Sequence, residues 1–253
     1  MTDMEALLES VYDRIFNLSI RYLGDPESAK DATQEICIKI LTKHDSFRGD
    51  SLFSTWALAV ASNYLRTARK SLLETACISF DAYATDCALS TQNEFDGTAA
   101  ERDILTEELK HSCSMGMLQC LDRTDRLVYI LHSFFALTGK LGAEISGLTP
   151  EAYRQRLSRT KKEMSAFLEK NCGFYRTDAP CHCKNRVQHA LKLGRISRKE
   201  RVYTAVLESL DDKTTAFRSN SVFRLTARQD EIRHILSSFS NSLELNSASI
   251  SLS

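Results

Sequence analysis

Residues 11–40 read VYDRIFNLSIRYLGDPESAKDATQEICIKI, and this stretch decides the class of fold. Leu8, Val11, Tyr12, Ile15, Leu18, Ser19 and Tyr22 recur at helical spacing, which predicts one buried stripe on a helix over residues 5–23. Gly24 stops that helix. Asp25-Pro26 starts the next: the Asp carboxylate caps free N–H groups, and Pro fits a first turn whose own N–H would have no partner. The second helix runs to about Leu41, with Ala29, Ala32, Thr33, Ile36 and Ile40 on its inner face.

Working outward, a polar loop, KHDSFRGDS at 43–51, leads to a third helix from Leu52 to Arg69. Its expected inner face is Phe53, Trp56, Ala57, Val60 and Tyr64. Residues 71–100 lose the periodicity and read as a linker. Periodicity returns near Ile104 and continues through Leu118, Leu121, Leu127, Val128, Leu131 and Phe134. Nine glycines and three prolines in 253 residues leave few breakers, so the chain should be mostly helix. The expected architecture is all-α, with a helical domain over 1–70, a linker over 71–103, a second helical domain over 104–171 and an extension over 172–253. Amphipathic pieces such as ERVYTAVLESL and DEIRHILSSF could fold back on the helices, and the serine-rich end, 238–253, should fray.

The bulk numbers fit a globular protein with a real core, 43% apolar and 26% charged. No apolar run is long enough to span a bilayer, so membrane insertion is not expected. The start, MTDMEALLES, lacks a basic segment followed by an apolar one, so a cytoplasmic protein with reduced thiols is expected.

The formal net charge is zero, yet residues 149–164, TPEAYRQRLSRTKKEM, concentrate positive charge. Thr149 caps a helix with Pro150 in its first turn. Tyr153, Leu157, Thr160, Met164, Phe167 and Leu168 form one narrow stripe. Arg154, Gln155, Ser158, Arg159 and Lys162 point the other way. Such groups hold phosphates, and Arg and Gln can read guanine and adenine edges in a major groove. The preceding TGKLGAEISGL reads as a short helix and a glycine turn, which completes a helix-turn-helix. A solvated basic face is the bland alternative for any charge run.

Two other faces are unusual. The second helix turns Asp31, Gln34, Glu35 and Ile38 outward, an apolar residue among acids. The third turns out Thr55, Ala59, Ser62, Asn63, Arg66 and Lys70, small at one end and basic at the other, which suits a phosphate chain.

Taken in this order, the three faces resemble an extracytoplasmic-function sigma factor of bacterial RNA polymerase. VYDRIFNLSIRYLGDPESAKDATQEICIKI and SFRGDSLFSTWALAVASNYLRTARK are similar to that family's second conserved region. They include its Asp-x-x-Gln-Glu element and the Phe-x-Thr-Trp that opens its DNA-facing helix. DRLVYILHSFFALTG and QRLSRTKKEM resemble the fourth region. The family's helix-turn-helix usually has Glu, Ile and Ala where this chain has Leu141, Gly142 and Ala143, and a glycine in a helix interior costs about 1 kcal/mol.

The resemblance implies a transcription initiation factor that is not an enzyme and requires no cofactor. Asp31, Gln34, Glu35 and Ile38 would dock on the clamp helices of the polymerase beta-prime subunit, and the fourth region on the beta flap. Phe47, Arg48, Thr55, Trp56, Ala59, Asn63, Arg66 and Lys70 would hold the melted downstream promoter element. Arg154, Gln155, Ser158, Arg159 and Lys162 would read the upstream element as duplex. An anti-sigma factor is a further partner that the family implies. The alternative is a helix-turn-helix regulator that acts without polymerase, and the first 70 residues would then have no use.

Of eight cysteines, three cluster in NCGFYRTDAPCHCKNRVQH. Cys172, Cys181, Cys183 and His189 are the ligand types of tetrahedral zinc, in a spacing that is not a standard zinc pattern. Vicinal redox-active thiols and a chance cluster are the other readings. A similar cysteine-containing extension occurs in a subset of these sigma factors. A zinc deaminase would need His-x-Glu beside Pro-Cys-x-x-Cys; here Pro180-Cys181-His182-Cys183 stands without it.

Overall fold

The computed structural model describes residues 3–70, 74, 75, 79–89, 94–137, 139–201, 203 and 204. Its helices are α1 (Asp3–Leu23), α2 (Pro26–Thr42), α3 (Phe53–Thr67), α4 (Phe80–Leu89), α5 (Ala99–Gln119), α6 (Arg123–Ser133), α7 (Gly139–Ser146), α8 (Pro150–Asn171) and α9 (Cys183–Lys192). One isolated bridge pairs Cys172 with Cys181. The all-α expectation holds for the described residues, and no helix among them is long and apolar enough to cross a membrane.

The break between α1 and α2 follows the predicted chemistry. Gly24 sits at φ 78°, where a side chain would be strained, and its N–H closes on the Ile20 carbonyl at 2.8 Å. The Asp25 carboxylate accepts from the Glu27 and Ser28 amides, and Pro26 occupies the first turn. Every stripe residue predicted for α1 and α2 is buried, and Cys37 joins them. α1, α2 and α3 pack on one another as a three-helix unit.

α3 differs from its predicted register. Its buried face is Thr55, Ala57, Leu58, Ala61, Ser62 and Leu65. Thr55 and Ser62, expected to face outward, are therefore inside, and Ser62 is 0% exposed. Small residues permit close approach of the neighbouring helices, so the helix turns its small side inward and leaves Phe53, Trp56, Val60 and Tyr64 half-buried at the rim. In the second half, Ile104 and Phe134 are likewise exposed rather than inside. Leu105 and Leu109 take the inward positions of α5, and the Arg21 guanidinium lies 4.0 Å over the Phe134 ring.

The segment read as a linker contains α4. Tyr83 and Cys87 of α4 are buried, and the Phe80 and Tyr83 rings lie 5.1 and 5.9 Å from Phe167 of α8. The aperiodic reading failed because α4 is short and buries only a few residues between long neighbours.

One core runs through both halves and into the extension, from Leu8 to Cys181. Arg126, 1% exposed, fastens them. Its guanidinium donates to the carbonyls of Leu118 (3.0 Å), Leu121 (3.1 Å) and, across to α1, Tyr22 (2.9 Å). Arg123 beside it pairs with Glu74 at 2.8 Å and donates to the Arg66 and Ala68 carbonyls at the end of α3. The extension packs through α9, where Val187 and Ala190 meet Leu105 and Leu109 of α5. Buried Glu108 accepts from the amides of Tyr203 and Thr204, both at 2.8 Å, and Tyr203 Oη reaches the Gly24 carbonyl at 3.1 Å. The start of ERVYTAVLESL thus does fold back. DEIRHILSSF and the serine-rich end lie outside the described residues.

Candidate nucleic-acid interface

α2 presents Asp31 and Glu35 exposed, with Gln34 and Ile38 half-buried beside them. Ile38 rests partly on the core, so its side chain is a rim residue rather than a free patch. The acids flank Tyr64 of α3: burial first, then the Glu35 and Asp31 charges, raise the Tyr64 phenol pKa. The predicted acidic face is therefore continuous with the rim of α3.

That rim is aromatic. Phe47 from the preceding loop lies 5.5 Å from Phe53, edge to face, and 5.5 Å from Trp56; Phe53 and Trp56 are 5.7 Å apart. All three rings are half-buried, and Leu52 beside them is 76% exposed. Rings held by one another yet open on one side are suited to stacking unpaired bases. The sequence reading placed Phe47 at the DNA, Phe53 in the core, and Trp56 both on the inner face and at the DNA. Phe53 and Trp56, three residues apart, do share one edge of the helix, and that edge lies at the rim.

Along α3 the polar end follows. Arg48, Asn63 and Lys70 are exposed, and Ala59 and Arg66 are half-buried. Arg66 Nη2 donates to Asn63 Oδ1 at 2.5 Å, so the two act as one unit. α3 packs against α7, and a Cβ on Gly147 would lie 3.5 Å from Arg66 Nη2. The basic end of α3 thus adjoins the turn between α7 and α8. Thr55 and Ser62 play no part in this surface.

The helix-turn-helix forms as predicted from α7 and α8. Gly147, at φ 69°, makes the turn, and the Leu148 amide closes on the Ala143 carbonyl at 2.9 Å. Thr149 Oγ1 caps α8 through the Ala152 amide at 3.2 Å. Tyr153, Thr160, Met164 and Phe167 are buried, while Arg154, Gln155, Ser158, Arg159 and Lys162 are all exposed. Gly142, the departure noted above, meets the Tyr153 ring: a Cβ there would lie 2.5 Å from Tyr153 Cζ.

The basic face is held by acids that sequence reading missed. Glu151 accepts from Arg154 at 2.5 Å and from Gln155 at 3.1 Å. Asp125 of α6 accepts from Arg156 at 2.7 Å and also from Arg159. Burial pushes the Asp125 carboxyl up, but the hydrogen bonds from Arg159 and Arg156 outweigh it and hold it below the usual carboxylate range. Two guanidiniums are thereby aimed along one side of α8.

The predicted zinc ligands divide. Cys172, Cys181 and Cys183 line one cavity, joined there by Cys87 of α4 and Cys113 of α5. His189 does not join them; its Nε2 lies 3.3 Å from Oδ1 of Asp86, whose Oδ2 pairs with Arg186 and Arg195. Among the described residues no three His, Cys, Asp or Glu side chains are placed to hold a metal ion, so the four donors do not fit a tetrahedral site as they stand. The neighbouring Cys87, opposed by burial and helped by Arg186, lowers the Cys181 pKa, and Cys181 and burial in turn push Cys87 up.

The first three helices thus carry an acidic face beside an aromatic rim, and α7 and α8 form a helix-turn-helix. The comparisons cover the first of these parts. Residues 7–72 match the family model described as Sigma-70 region 2. The RNA polymerase sigma-H factor of Pseudomonas aeruginosa is 33% identical to the chain over 95 residues, which are 38% of this chain and 46% of that protein. The chain thus spans about half the length of the curated relative it matches.

Proposed function

We propose that the protein is a transcription initiation factor that binds core RNA polymerase, recognises promoter DNA and opens it. The observation that carries this reading is the continuity of the exposed Asp31 and Glu35 face with the open aromatic rim of Phe47, Phe53 and Trp56, inside residues 7–72 that match Sigma-70 region 2. An acidic face answers a basic protein surface, and a stacking platform beside it answers bases freed from the duplex. α8 supplies the duplex reader, the polymerase clamp helices are the partner of α2, and the beta flap that of the second helical domain. The factor works in the cytoplasm with the polymerase and is of the extracytoplasmic-function group. Its cysteine-containing extension is an addition that packs on α5, and an anti-sigma factor would cover the same faces.

Permanganate footprinting with core polymerase tests the assignment. Wild-type protein opens a promoter and exposes reactive thymines. Asn63→Ala with Arg66→Ala loses that reactivity while duplex binding through α8 stays. Equal opening in both proteins removes α3 from the role. Sequence-specific binding without polymerase, and without opening in either protein, marks a simple duplex-binding regulator instead.

A further inference from the structure

The arginines of α8 do not stand on the same footing. Arg154 pairs with Glu151, one turn back on its own helix, at 2.5 Å, and the two side chains are 65% and 64% exposed. An exposed pair of that kind fixes little. Arg156 and Arg159 reach instead to another helix. Asp125, in the first turn of α6, is 3% exposed. Its Oδ1 accepts from Arg156 Nη1 at 2.7 Å, and its Oδ2 accepts from Arg159 Nη2. Asp122 Oδ2 flanks the same two nitrogens at 3.7 and 4.0 Å. The Arg156 and Arg159 side chains are 35% and 60% exposed, so both still face solvent.

The Asp125 carboxylate is a fixed point. Asp122 caps α6 by accepting from the Thr124 and Asp125 amides at 2.8 and 2.9 Å, and the next residue, Arg126, is fastened into the core. α6 packs along α8, where Tyr153 Oη donates to the Val128 carbonyl at 3.5 Å. A long side chain that binds a partner loses rotamer freedom; here much of that freedom is already lost in the fold. The contacts occupy Nη1 of Arg156 and Nη2 of Arg159, and each planar guanidinium carries further N–H donors. Charge is the second consequence. Two guanidiniums against two carboxylates form a neutral set. Attraction to a phosphate chain follows uncompensated charge, whereas a hydrogen bond to a base edge follows placement.

We propose that Asp125 is a positioning residue that sets the sequence specificity of α8: it presents Arg156 and Arg159 to base edges in one preset geometry and, by cancelling their charge, weakens their hold on the phosphates of a wrong sequence. This role rests on the reading of α8 as the duplex reader, and it adds Arg156 to the groups that meet the groove. Buried as it is, Asp125 acts only through the two arginines. Glu151 cannot serve Arg154 in the same way, because both partners of that pair move with solvent.

Holoenzyme reconstituted from the full chain and core polymerase, near neutral pH, provides the test. It selects duplexes from a pool with a randomised upstream block, and affinity for the selected duplex and for a scrambled one is measured over a salt series. Arg159→Ala marks the base pairs that Arg159 reads. Asp125→Asn, nearly isosteric, should relax preference at those same base pairs and cut the ratio of selected to scrambled affinity about tenfold. Affinity for the scrambled duplex should rise, with a salt dependence steeper by about one phosphate contact. General loosening of the fold would lower both affinities together. In an Arg156→Ala, Arg159→Ala background, Asp125→Asn should change nothing further. An unchanged ratio, or the same loss in that background, overturns the role of Asp125. If the wild type selects no upstream sequence, the reading of α8 as duplex reader falls and this role with it; if wild type and Asp125→Asn select equally well, only the role of Asp125 falls. Should Asp125→Asn misfold by circular dichroism, the wild-type full chain decides through NMR order parameters of its arginine Nε–H groups. Arg156 and Arg159 should be more rigid than Arg154, and equal mobility overturns the proposal.

Discussion

At position 142 an alanine looks like an improvement, since it would return about 1 kcal/mol of helix propensity. The surroundings reverse the sign. The Tyr153 ring fills the space a Cβ would take, and it cannot swing away, because it is fully buried and its hydroxyl donates to the Leu137 carbonyl at 2.9 Å. Overpacking of this kind costs about 1–3 kcal/mol. Gly142→Ala should therefore lower the urea midpoint; a raised midpoint would show that the ring gives way. The charged residues behave differently. Asp31 and Glu35 are exposed and hold no part of the core. Reversing both to Lys should weaken binding to core polymerase while leaving the thermal midpoint unchanged, and unaltered affinity would remove α2 from the docking surface. On α8, Arg154→Ala should cost on the order of tenfold in duplex affinity and relax preference at one base pair if the guanidinium reads a base. A phosphate contact would instead lower affinity for all sequences alike, with a shallower salt dependence.

At the level of elements, acids set the angles between helices. Asp125 joins α6 to α8 through Arg156 and Arg159, and Glu74 joins the chain after α3 to α6 through Arg123 and Arg126. Burial raises the Glu74 pKa, yet the Arg123 hydrogen bond and the two guanidinium charges bring it below its ordinary value, as they do for Asp125. Carboxyls depressed in the fold contribute stability that is fully present above the unfolded value, near roughly 4, and is lost as pH falls through the lower folded values. Melting temperature should be flat near neutrality and fall in acid, and Asp125→Asn should shrink that acid-dependent part. An identical acid profile in the variant would deny Asp125 the role. Arg126 is a stricter case. Arg126→Met would leave the buried carbonyls of Tyr22, Leu118 and Leu121 without this donor, at a cost of about 3 kcal/mol or more by denaturant melting.

Over the described residues as a whole, α3 and α8 belong to one packed body in the free chain. α3 lies on α7, Arg126 nails α5 and α6 to the end of α1, and the extension crosses α5 to reach Gly24. Arg66 therefore sits beside the very turn that launches α8. Neutral net charge suits this packing, since strong like charge would oppose it.

Local chemistry was legible in the sequence. Gly24, Asp25 and Pro26 mark a helix break, Thr149 and Pro150 a helix start, and the stripes of α1, α2 and α8 their inner faces, because each depends on neighbours within a few residues. So was the list of exposed groups on α8, since a narrow apolar stripe leaves one choice of outer face. What tertiary structure alone decided depends on partners distant in the chain. The inward turn of Thr55 and Ser62 follows from how closely α3 can approach its neighbours. The pairing of Asp125 with Arg156 and Arg159 spans more than a whole helix. The gathering of Cys87 and Cys113 with the C-terminal cysteines, and the removal of His189 to Asp86, come from α4 and α9 docking on α5 and α8. Spacing within a segment encodes a face; only packing determines what that face meets.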